Sequence, residues 1–485
     1  MDEARLLGLL TGINTWWNGD PVPESLLQAE YRRRDFFVLK KRMHDDFEVI
    51  PIRGPRQVGK TTVVGQLIDS LLDENDVPPE RILYLNMETS QFLSSPENTI
   101  QQALDVYETS VLGQSFQRMH NPVYVFIDEI QKADEWASTV KYYTDTFACL
   151  RFVVTGSIST LIDQEAKETL VGRRDPFTML PMKYVEYVRY REIRNEETIK
   201  EFSNDLRDAL KRAVLSGDMN EFTPIATRTY GLLDPVRPEL NTAKEDYLLK
   251  GGYPRVIDMN YADAFNRLNE DLRSTVTGDI PNVFPAEKPE KLLRLLNLVA
   301  YSTGSKFTIQ KMSDETGLNH RTVEDYLTYL EEFFLITRSE RYSASEYGSR
   351  GQKKIYVQDP GHLNALEGTL SERTLGDGEQ MGKVLEAACR TLGGRLQYYL
   401  LDQNPDPATY WDKNGEVDVV LGGPDFALPI EVKRGDSAER DLRGLRNFLA
   451  EYDHAPFGFA VNDAGTFEED DNVVHIPAWL FFFMC

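Results

Sequence analysis

The sequence predicts two α/β regions separated by a mostly helical region, and three observations support this prediction. Up to about residue 190, short and nearly continuous apolar runs alternate with helical segments, which is typical of a parallel sheet covered by helices on both faces. From there to about residue 338 the apolar residues recur mostly at helical spacing. Beyond about residue 353, strand-like and helical segments mix again.

Five short apolar runs are the predicted strands of the N-terminal sheet. They cover residues 47–52, 81–86, 123–127, 151–155 and 177–180. A charge-dense segment with helical spacing follows, and we expect it to be a solvated helical insertion. The predicted divisions are 1–190 for the first α/β domain, 191–249 for a charged helical insertion or linker, 250–350 for a helical module and 351–485 for a second α/β domain.

Charge and composition exclude several classes of protein. Among 485 residues, 78 acidic residues outnumber 54 basic ones, which gives a formal net charge of −24. This excess argues against a generally basic nucleic-acid coat protein and against a binder of anionic membranes, although a local basic groove is compatible with it. The hydrophobic content of 41% is ample for packed cores. Only 20 of the basic residues are lysine, a composition that fits either a high-salt cytoplasm or an ordinary acidic protein.

Cysteine usage and the apolar runs indicate the compartment. Cys149, Cys389 and Cys485 lie far apart and form neither a zinc-binding pattern nor a disulfide framework, which predicts a reducing compartment. The first residues lack a basic stretch followed by an apolar one, and the longest apolar runs are too short to span a bilayer. We therefore expect a cytoplasmic protein with no membrane partner.

A phosphate-binding loop follows the first predicted strand. The segment GPRQVGKT fits GxxxxGK[ST] at every fixed position, and an amphipathic helix follows it. Backbone N–H groups and the positive end of that helix would surround phosphates, Lys60 would reach the β- and γ-phosphates, and Thr61 would offer a hydroxyl to Mg²⁺. A guanine-specific NKxD motif is not evident, so ATP is the expected nucleotide. The predicted nucleotide-binding residues are Gly54, Pro55, Arg56, Gln57, Val58, Gly59, Lys60, Thr61 and Thr62.

A second strand supplies the acidic groups that such a loop requires. The run VYVFIDEIQKADEW places Asp128 and Glu129 at the C-terminal end of an apolar strand. Ligands bind at that edge of an open α/β sheet. We expect Asp128 to hold the Mg²⁺ shell and Glu129 to polarise the attacking water.

Two further groups are candidates for contact with a γ-phosphate. The strand RFVVTGS ends in hydroxyl residues, so either Thr155 or Ser157 is suited to sensing the phosphate. Arg173 or Arg174 would contact phosphate within the chain or from a neighbouring molecule in an oligomer, and Arg173 is taken as the catalytic candidate. The alternative is a surface arginine, or an ion pair with Asp175.

The order GPRQVGKTT, VFIDEIQKADEW, VVTGS and GRRDPFTMLPMKYVEY resembles the prokaryotic AAA-type ATPases that carry a C-terminal domain of unknown function. The similarity continues through YLLKGGYPRVI, KKIYVQDPGHLNAL and a segment ending in IEVK, and so covers most of the chain. The helical stretch over 189–244 is longer than that family leads us to expect. The resemblance implies an AAA+-like P-loop domain, a winged-helix-like module and a nuclease-like tail.

Residues 307–334 resemble a helix-turn-helix unit. The second helix has one apolar face, formed by Val323, Tyr326, Leu327 and Leu330. Its other face is acidic, with Glu324, Asp325, Glu331 and Glu332, while His320 and Arg321 lie only at its start. Because acidic side chains repel phosphates, we expect a structural or protein-binding module, with DNA binding as the alternative.

From about residue 380 the predicted order is a helix, the strand RLQYYLL, a two-stranded hairpin, a helix and a strand, which resembles the core of the PD-(D/E)xK nucleases. The matching residues are Asp418, Glu431 and Lys433 on the hairpin, and Glu386 on the leading helix. Residues 431 and 433 project from one strand face, so two carboxylates would bind Mg²⁺ and Lys433 would position water or stabilise charge on a phosphodiester. Glu386 would be a further ligand or a base. The alternative is a cross-strand ion pair worth about 0–1 kcal/mol.

Three hypotheses follow for the whole chain. In the first, ATP hydrolysis moves or gates a tail that acts on DNA. In the second, the chain is an ATP-dependent switch that binds another protein through its helical module and carries an inert tail. In the third, it is a nucleotide-regulated DNA-binding regulator, which the acidic second helix disfavours. The set of Asp418, Glu431 and Lys433 favours the first hypothesis over the second.

Overall fold

The structure is a computed structural model that describes residues 2–45, 47–73, 77–93, 98–156, 176–343, 352–401, 408–422, 425–434, 442–463 and 465–485. Its contacts divide the chain into two compact units, Met1–Leu180 and Pro181–Cys485. The sequence places the first boundary at residue 190. The difference arises because the helix Tyr184–Tyr190 packs on helices of the second unit, with Tyr184 against Tyr247 and Phe482.

The first unit contains a five-stranded parallel sheet of order β2-β3-β4-β1-β5. Its strands are β1 (Val49–Arg53), β2 (Ile82–Asn86), β3 (Val123–Asp128), β4 (Leu150–Gly156) and β5 (Phe177–Thr178). All five predicted strands are therefore present, with ends shifted by a few residues. Helices cover the sheet: α1 (Glu3–Ile13), α2 (Glu24–Leu27), α3 (Arg34–His44), α4 (Lys60–Asp73), α5 (Ser90–Leu93), α6 (Thr99–Val106) and α7 (Trp136–Thr146).

Two apolar clusters hold this sheet, one on each face. One cluster packs α1, α6 and α7 against alternate strand residues such as Val125 and Phe152. The other packs α3 and α4 against residues such as Ile52 and Phe126. Burial on both faces explains why each strand is a continuous apolar run rather than an alternating one.

The second unit begins with helices, as the spacing of its apolar residues predicts. The charge-dense segment is not the solvated insertion that we expected, because the helix Glu196–Ser216 buries one face, which includes Ile199, Leu206 and Leu210. The helices are α8 (Tyr184–Tyr190), α9 (Glu196–Ser216), α10 (Thr223–Leu233), α11 (Arg237–Lys250), α12 (Tyr261–Ser274), α13 (Pro289–Tyr301), α14 (Ile309–Thr316) and α15 (His320–Glu332). A two-stranded antiparallel hairpin follows, formed by β6 (Ile336–Ser339) and β7 (Lys354–Val357). Helix α16 (Pro360–Glu367) comes next.

The tail contains a six-stranded mixed sheet of order β12-β13-β11-β10-β9-β8. Its elements in chain order are α17 (Gly378–Leu401), β8 (Thr409–Trp411), β9 (Val417–Gly422), β10 (Ala427–Lys433), α18 (Arg443–Glu451), β11 (Gly458–Asn462), β12 (Glu468–Asp470), β13 (Val473–Pro477) and α19 (Ala478–Met484). Strands β9 and β10 are antiparallel, and β10 and β11 are parallel.

The predicted strand RLQYYLL is wrong, because these residues are the last turns of α17. Leu392, Leu396 and Leu400 are buried at helical spacing, whereas Tyr398 is exposed. The helix packs on β9 at Gly393, where a Cβ would be in ordinary contact with the side chain of Leu421, at 3.4 Å. The order helix, three strands, helix, strand is nevertheless retained, because β8 takes the place of the predicted strand. Within the described part of the chain, no helix combines the length and apolar character needed to cross a membrane.

Candidate functional site

The phosphate-binding loop connects the end of β1 to the start of α4, and its glycines are required by its backbone. Gly59 has φ +97°, in the region that favours glycine. A Cβ on Gly54 would lie 2.0 Å from the carbonyl oxygen of Met179, so no larger residue fits there. The loop is therefore tightly curved and lies against the chain that follows β5.

Lys60 lies inside the curve of this loop. Its Nζ donates hydrogen bonds to the carbonyl oxygens of Gly54 and Pro55, both at 2.9 Å, and only 4% of the residue is exposed. Burial lowers the pKa of Lys60, while the nearby Glu129 and Asp128 oppose this change. The side-chain nitrogen of Lys60 thus lies at the position that the motif assigns to phosphate binding.

Asp128 ends β3 within contact of the loop. Thr61 Oγ1 donates to Asp128 Oδ2 at 2.7 Å, the hydroxyl of Tyr84 donates to the same oxygen at 3.2 Å, and Thr155 Oγ1 donates to Oδ1. Burial and the neighbouring Glu129 raise the pKa of Asp128. One hydroxyl and one carboxylate oxygen are the hard donors that Mg²⁺ prefers, so Thr61 and Asp128 fit such an ion.

Glu129 follows in a left-handed backbone conformation, with φ +53°. Its N–H donates to Thr155 Oγ1 at 3.2 Å, and Gln131 Nε2 donates to its Oε2 at 2.5 Å. Thr155, a predicted phosphate sensor, thus holds the backbone at Glu129 and the side chain of Asp128. The turn directs two consecutive carboxylates to different positions at the sheet edge.

The other predicted nucleotide residues differ in what they contribute. The side chain of Val58 is fully buried in the core, so only its backbone faces the loop. Arg56 and Thr62 are half-buried, and Gln57 has φ +64°. Ser157, Arg173 and Arg174 lie outside the described residues, and their roles stay predictions.

The sequence analysis missed a buried arginine that supports the loop. Arg33 Nη1 donates to the carbonyl of Val58 at 3.0 Å, and its Nη2 donates to the carbonyl of Leu180 at 2.8 Å. The only local signal was a run of three arginines at the start of α3, which does not indicate which one is buried.

In the tail, the predicted carboxylates and lysine lie together on β9 and β10. Lys433 Nζ is 2.7 Å from Glu431 Oε1, and Asp418 Oδ2 accepts a hydrogen bond from the N–H of Val432 at 2.8 Å. Burial and the nearby Asp418 raise the pKa of Glu431 to about 8. These three residues therefore lie close together in one partly buried site.

Glu386 reaches the same site from α17. Burial and Asp418 raise its pKa to about 7, and the hydroxyl of Tyr356 donates to its Oε1 at 2.9 Å. Lys354 Nζ lies 3.5 Å from that same oxygen. We call Glu386, Asp418, Glu431 and Lys433, together with Lys354, the carboxylate cluster.

The donor set of the carboxylate cluster fits a divalent cation in its chemistry. Glu431 is 4% exposed, and its buried Oε2 has no hydrogen-bond partner. A buried carboxylate oxygen without a donor requires compensation. Among the described residues, however, no three His, Cys, Asp or Glu side chains are arranged to coordinate a metal as they stand. Lysines pair with two of the carboxylates instead.

Two members of this site, Lys354 and Tyr356, were not identified from the sequence as site residues. Both lie on β7, in the hairpin that follows α15, and are remote along the chain from β9 and β10. The segment KKIYV carried no spacing that connects it to Asp418 or Glu431. Only the fold brings them together.

The second helix of the predicted helix-turn-helix is α15. Val323, Tyr326, Leu327 and Leu330 are buried as expected, and Glu324 and Asp325 are exposed. Glu331 was expected on the exposed face but is half-buried, because its carboxylate pairs with Arg338 of β6, at 2.8 Å from Nε. His320 and Arg321 are exposed at the start of the helix.

Comparison with known proteins supports the reading of the first unit. Residues 46–188 match a family model described as an AAA domain, and residues 241–373 match one described as a domain of unknown function, DUF8612. The chain is 25% identical over 314 residues to the uncharacterized protein MJ1544 of Methanocaldococcus jannaschii, a match that covers 64% of this chain and 60% of that protein.

Solved structures are similar at lower identity. The Walker-type ATPase PABY2304 of Pyrococcus abyssi is 14% identical, with a TM-score of 0.41, over 73% of this chain and 99% of that one. The ORC2 protein of Aeropyrum pernix in its ADP form is 11% identical, with a TM-score of 0.33, over 74% and 97%. The matched family model, the parallel sheet and the loop geometry agree that residues 46–188 have the fold and the phosphate-binding loop of an AAA domain.

Proposed function

We propose that the first unit binds and hydrolyses ATP through the residues at the C-terminal edge of its parallel sheet. The observation that carries this proposal is the contact of Thr61 with Asp128 beside the buried Lys60. It joins the phosphate-binding loop to the acidic end of β3. Thr61 and Asp128 would hold Mg²⁺, which supplies positive charge to the phosphate oxygens when bound.

Each group of residues at this site has a separate role in ATP hydrolysis. The backbone N–H groups of residues 56–61 and the ammonium of Lys60 hold the β- and γ-phosphates. Glu129, fixed by Gln131 and Thr155, accepts a hydrogen bond from the attacking water. The water oxygen bonds to the γ-phosphorus, the bond to the β-phosphate oxygen breaks, and ADP and phosphate leave. Arg173 or Arg174 would stabilise the charge that develops.

Substitution of the loop lysine and of the water-binding acid tests this mechanism. Lys60→Ala should weaken ATP binding, whereas Glu129→Gln should retain binding and reduce kcat by about 10²–10⁴-fold, because only the water-polarising carboxylate is lost. Lys41→Ala and Glu135→Gln are matched controls, since both side chains are exposed on the same unit. ATP turnover by Glu129→Gln at the wild-type rate would contradict the assignment of that base.

We further propose that the tail carries a metal-dependent nuclease-type site that acts on DNA and is coupled to ATP hydrolysis. The supporting observation is that Glu386, Asp418, Glu431 and Lys433 meet from one helix and two strands in a partly buried site. Asp418 and Glu431 would hold the metal ion, and Glu386 would serve as a further ligand or as a base. Lys433 would position the water that attacks a phosphodiester.

Cleavage assays with matched variants test this second activity. Asp418→Ala and Lys433→Ala should each abolish cleavage of plasmid, linear or branched DNA with Mg²⁺ or Mn²⁺, and should leave ATP hydrolysis intact. Asp425→Ala and Lys413→Ala are controls, because both side chains are exposed near the same hairpin. Failure of the wild-type protein, shown to be an active ATPase, to cut DNA or RNA with any metal would contradict the nuclease proposal. The protein-binding switch would then be the better reading.

A further inference from the structure

A lysine from outside the tail sheet lies inside the carboxylate cluster. Lys354 is the first residue of β7, in the hairpin that pairs Ser339 with Lys354. Only 3% of it is exposed, although a lysine is rarely buried without a compensating partner. Its location therefore requires an explanation in terms of the groups around it.

The groups around Lys354 are acidic and aromatic. Its Nζ lies 2.7 Å from Glu416 Oε1 and 3.5 Å from Glu386 Oε1, and 5.4 Å from the ring centre of Tyr410. Glu386, Asp418 and Glu416 together raise its pKa against the opposing effect of burial. Lys354 therefore places its side-chain nitrogen among the carboxylates that the nuclease proposal assigns to a metal ion.

The partners of Lys354 differ in exposure. Glu416 is half-exposed, with 52% of its side chain accessible, whereas Glu386 is mostly enclosed. An ammonium that leaves Glu386 can keep its contact with Glu416 and move toward solvent. Meanwhile Glu431 Oε2, on the strand next to that of Asp418, is buried and without a hydrogen-bond donor, so one carboxyl oxygen of the cluster is available to a cation.

We propose that Lys354 is an internal counter-ion that competes with a divalent cation for the carboxylate cluster, so that metal binding displaces it toward Glu416. This inference rests on the nuclease-type site proposed above and adds its regulation. A divalent ion replaces one unit charge with two among three carboxylates, so the exchange is favoured once metal is available. Because Lys354 belongs to the β6–β7 hairpin, the position of that hairpin sets the metal affinity of the tail.

Metal titration of the full chain provides the first test, and it does not depend on cleavage. Lys354→Met should bind Mn²⁺ on the order of tenfold more tightly than the wild type by calorimetry, because the competing charge is removed. Lys353→Met is the matched control, since Lys353 is a half-exposed neighbour that pairs with Glu340. The heat of Mn²⁺ binding that is lost in Asp418→Ala is the part that belongs to the carboxylate cluster.

The outcomes separate the two proposals. Equal Mn²⁺ affinity of Lys354→Met and the wild type would overturn the displacement of Lys354 and leave the metal site standing. Absence of Mn²⁺ binding at the cluster in both proteins would overturn the nuclease-type site and the inference with it. Tighter binding by Lys354→Met but not by Lys353→Met supports the proposal.

A second measurement uses the wild-type protein and so does not depend on whether the variant folds. Acetylation of lysines, read by mass spectrometry, should increase several-fold at Lys354 on addition of Mn²⁺ and remain unchanged at Lys353. A charge effect without displacement would tighten binding in the variant and leave Lys354 protected in the wild type. Protection of Lys354 at saturating Mn²⁺ therefore overturns the proposal even if the titration favours it.

Discussion

The buried carboxylate of Glu431 shows how a candidate site can oppose the stability of its own fold. One of its oxygens contacts Lys433, and the other has no hydrogen-bond partner. Burial and Asp418 both disfavour its ionised form, which is why its pKa rises to about 8 from an ordinary 4.5. At neutral pH the folded chain therefore holds a proton that the unfolded chain releases.

This difference predicts a pH dependence of stability. Between about pH 4.5 and 8 the folded state binds more protons at Glu431 than the unfolded state does, so the free energy of unfolding decreases as the pH rises through this window. Glu431→Gln, measured without metal, should have a flatter profile of Tm against pH and a higher Tm than the wild type at pH 8.

An exposed glutamate of the same sheet provides the control. Glu469→Gln, on the edge strand β12, should reproduce the wild-type profile, because its side chain is exposed. Parallel profiles for Glu431→Gln and the wild type would show that this carboxylate is ionised in the folded chain throughout the range.

At the scale of single residues, the sequence predicts the site residues that belong to a local motif. It misses the site residues that the fold brings in from distant segments. Lys60 and Thr61 belong to one loop whose motif specifies them, and Asp128 follows an apolar strand. Arg33 and Lys354 reach their sites from segments with no motif. Their contribution depends on tertiary contacts, which local spacing does not encode.

At the scale of elements, the helix α17 shows where a short apolar run misleads. The run RLQYYLL is rich in residues that favour strands, and its length fits a strand. The buried positions Leu396 and Leu400 instead continue the face formed by Val384 and Leu392 earlier in the same helix. An extended run of helical periodicity therefore outweighed local strand preference, and β8 was missed because only three residues form it.

The C-terminal helix α19 is the apolar element that we expect to matter most for the stability of the second unit. Every described residue from Ala478 to Met484 is buried, and the ring of Phe482 lies 5.9 Å from that of Tyr184 and 6.5 Å from that of Tyr247. This apolar segment therefore packs into a core of the second unit.

Truncation of one of these rings tests the element. Phe482→Ala should lower the free energy of unfolding of the second unit by about 3–5 kcal/mol, because it leaves a cavity among aromatic rings. Leu215→Ala, whose side chain is 63% exposed on α9, should change it by less than about 0.5 kcal/mol. Urea unfolding followed by circular dichroism measures both, and a small effect for Phe482→Ala would contradict the assigned packing.

At the scale of the whole molecule, charge is the dominant feature. A net charge of −24 produces repulsion within a compact chain, and added salt screens it. We expect Tm to increase as KCl is raised from about 0.05 M to 1 M, with most of the increase below about 0.5 M, where the screening length changes most.

Sucrose at equal osmolality provides the comparison for this experiment, since it stabilises by exclusion from the surface and does not screen charge. A Tm that is independent of KCl, or that rises equally with sucrose and KCl, would contradict charge repulsion as the cause.

The overall sequence of regions could be predicted because composition and periodicity change along the chain. The boundary at Leu180 could not be predicted, because it depends on which neighbours α8 contacts.

The close approach of Gly54 to Met179 has a mechanical consequence. The N–H of Met179 donates to the carbonyl of Arg53 at 2.8 Å, Arg53 Nε donates to Thr178 Oγ1 at 2.7 Å, and Arg33 links the carbonyls of Val58 and Leu180. The last three residues of the first unit are therefore fastened to both sides of the phosphate-binding loop. We therefore expect a change in the curvature of that loop to move the segment of chain that leaves the first unit after Leu180.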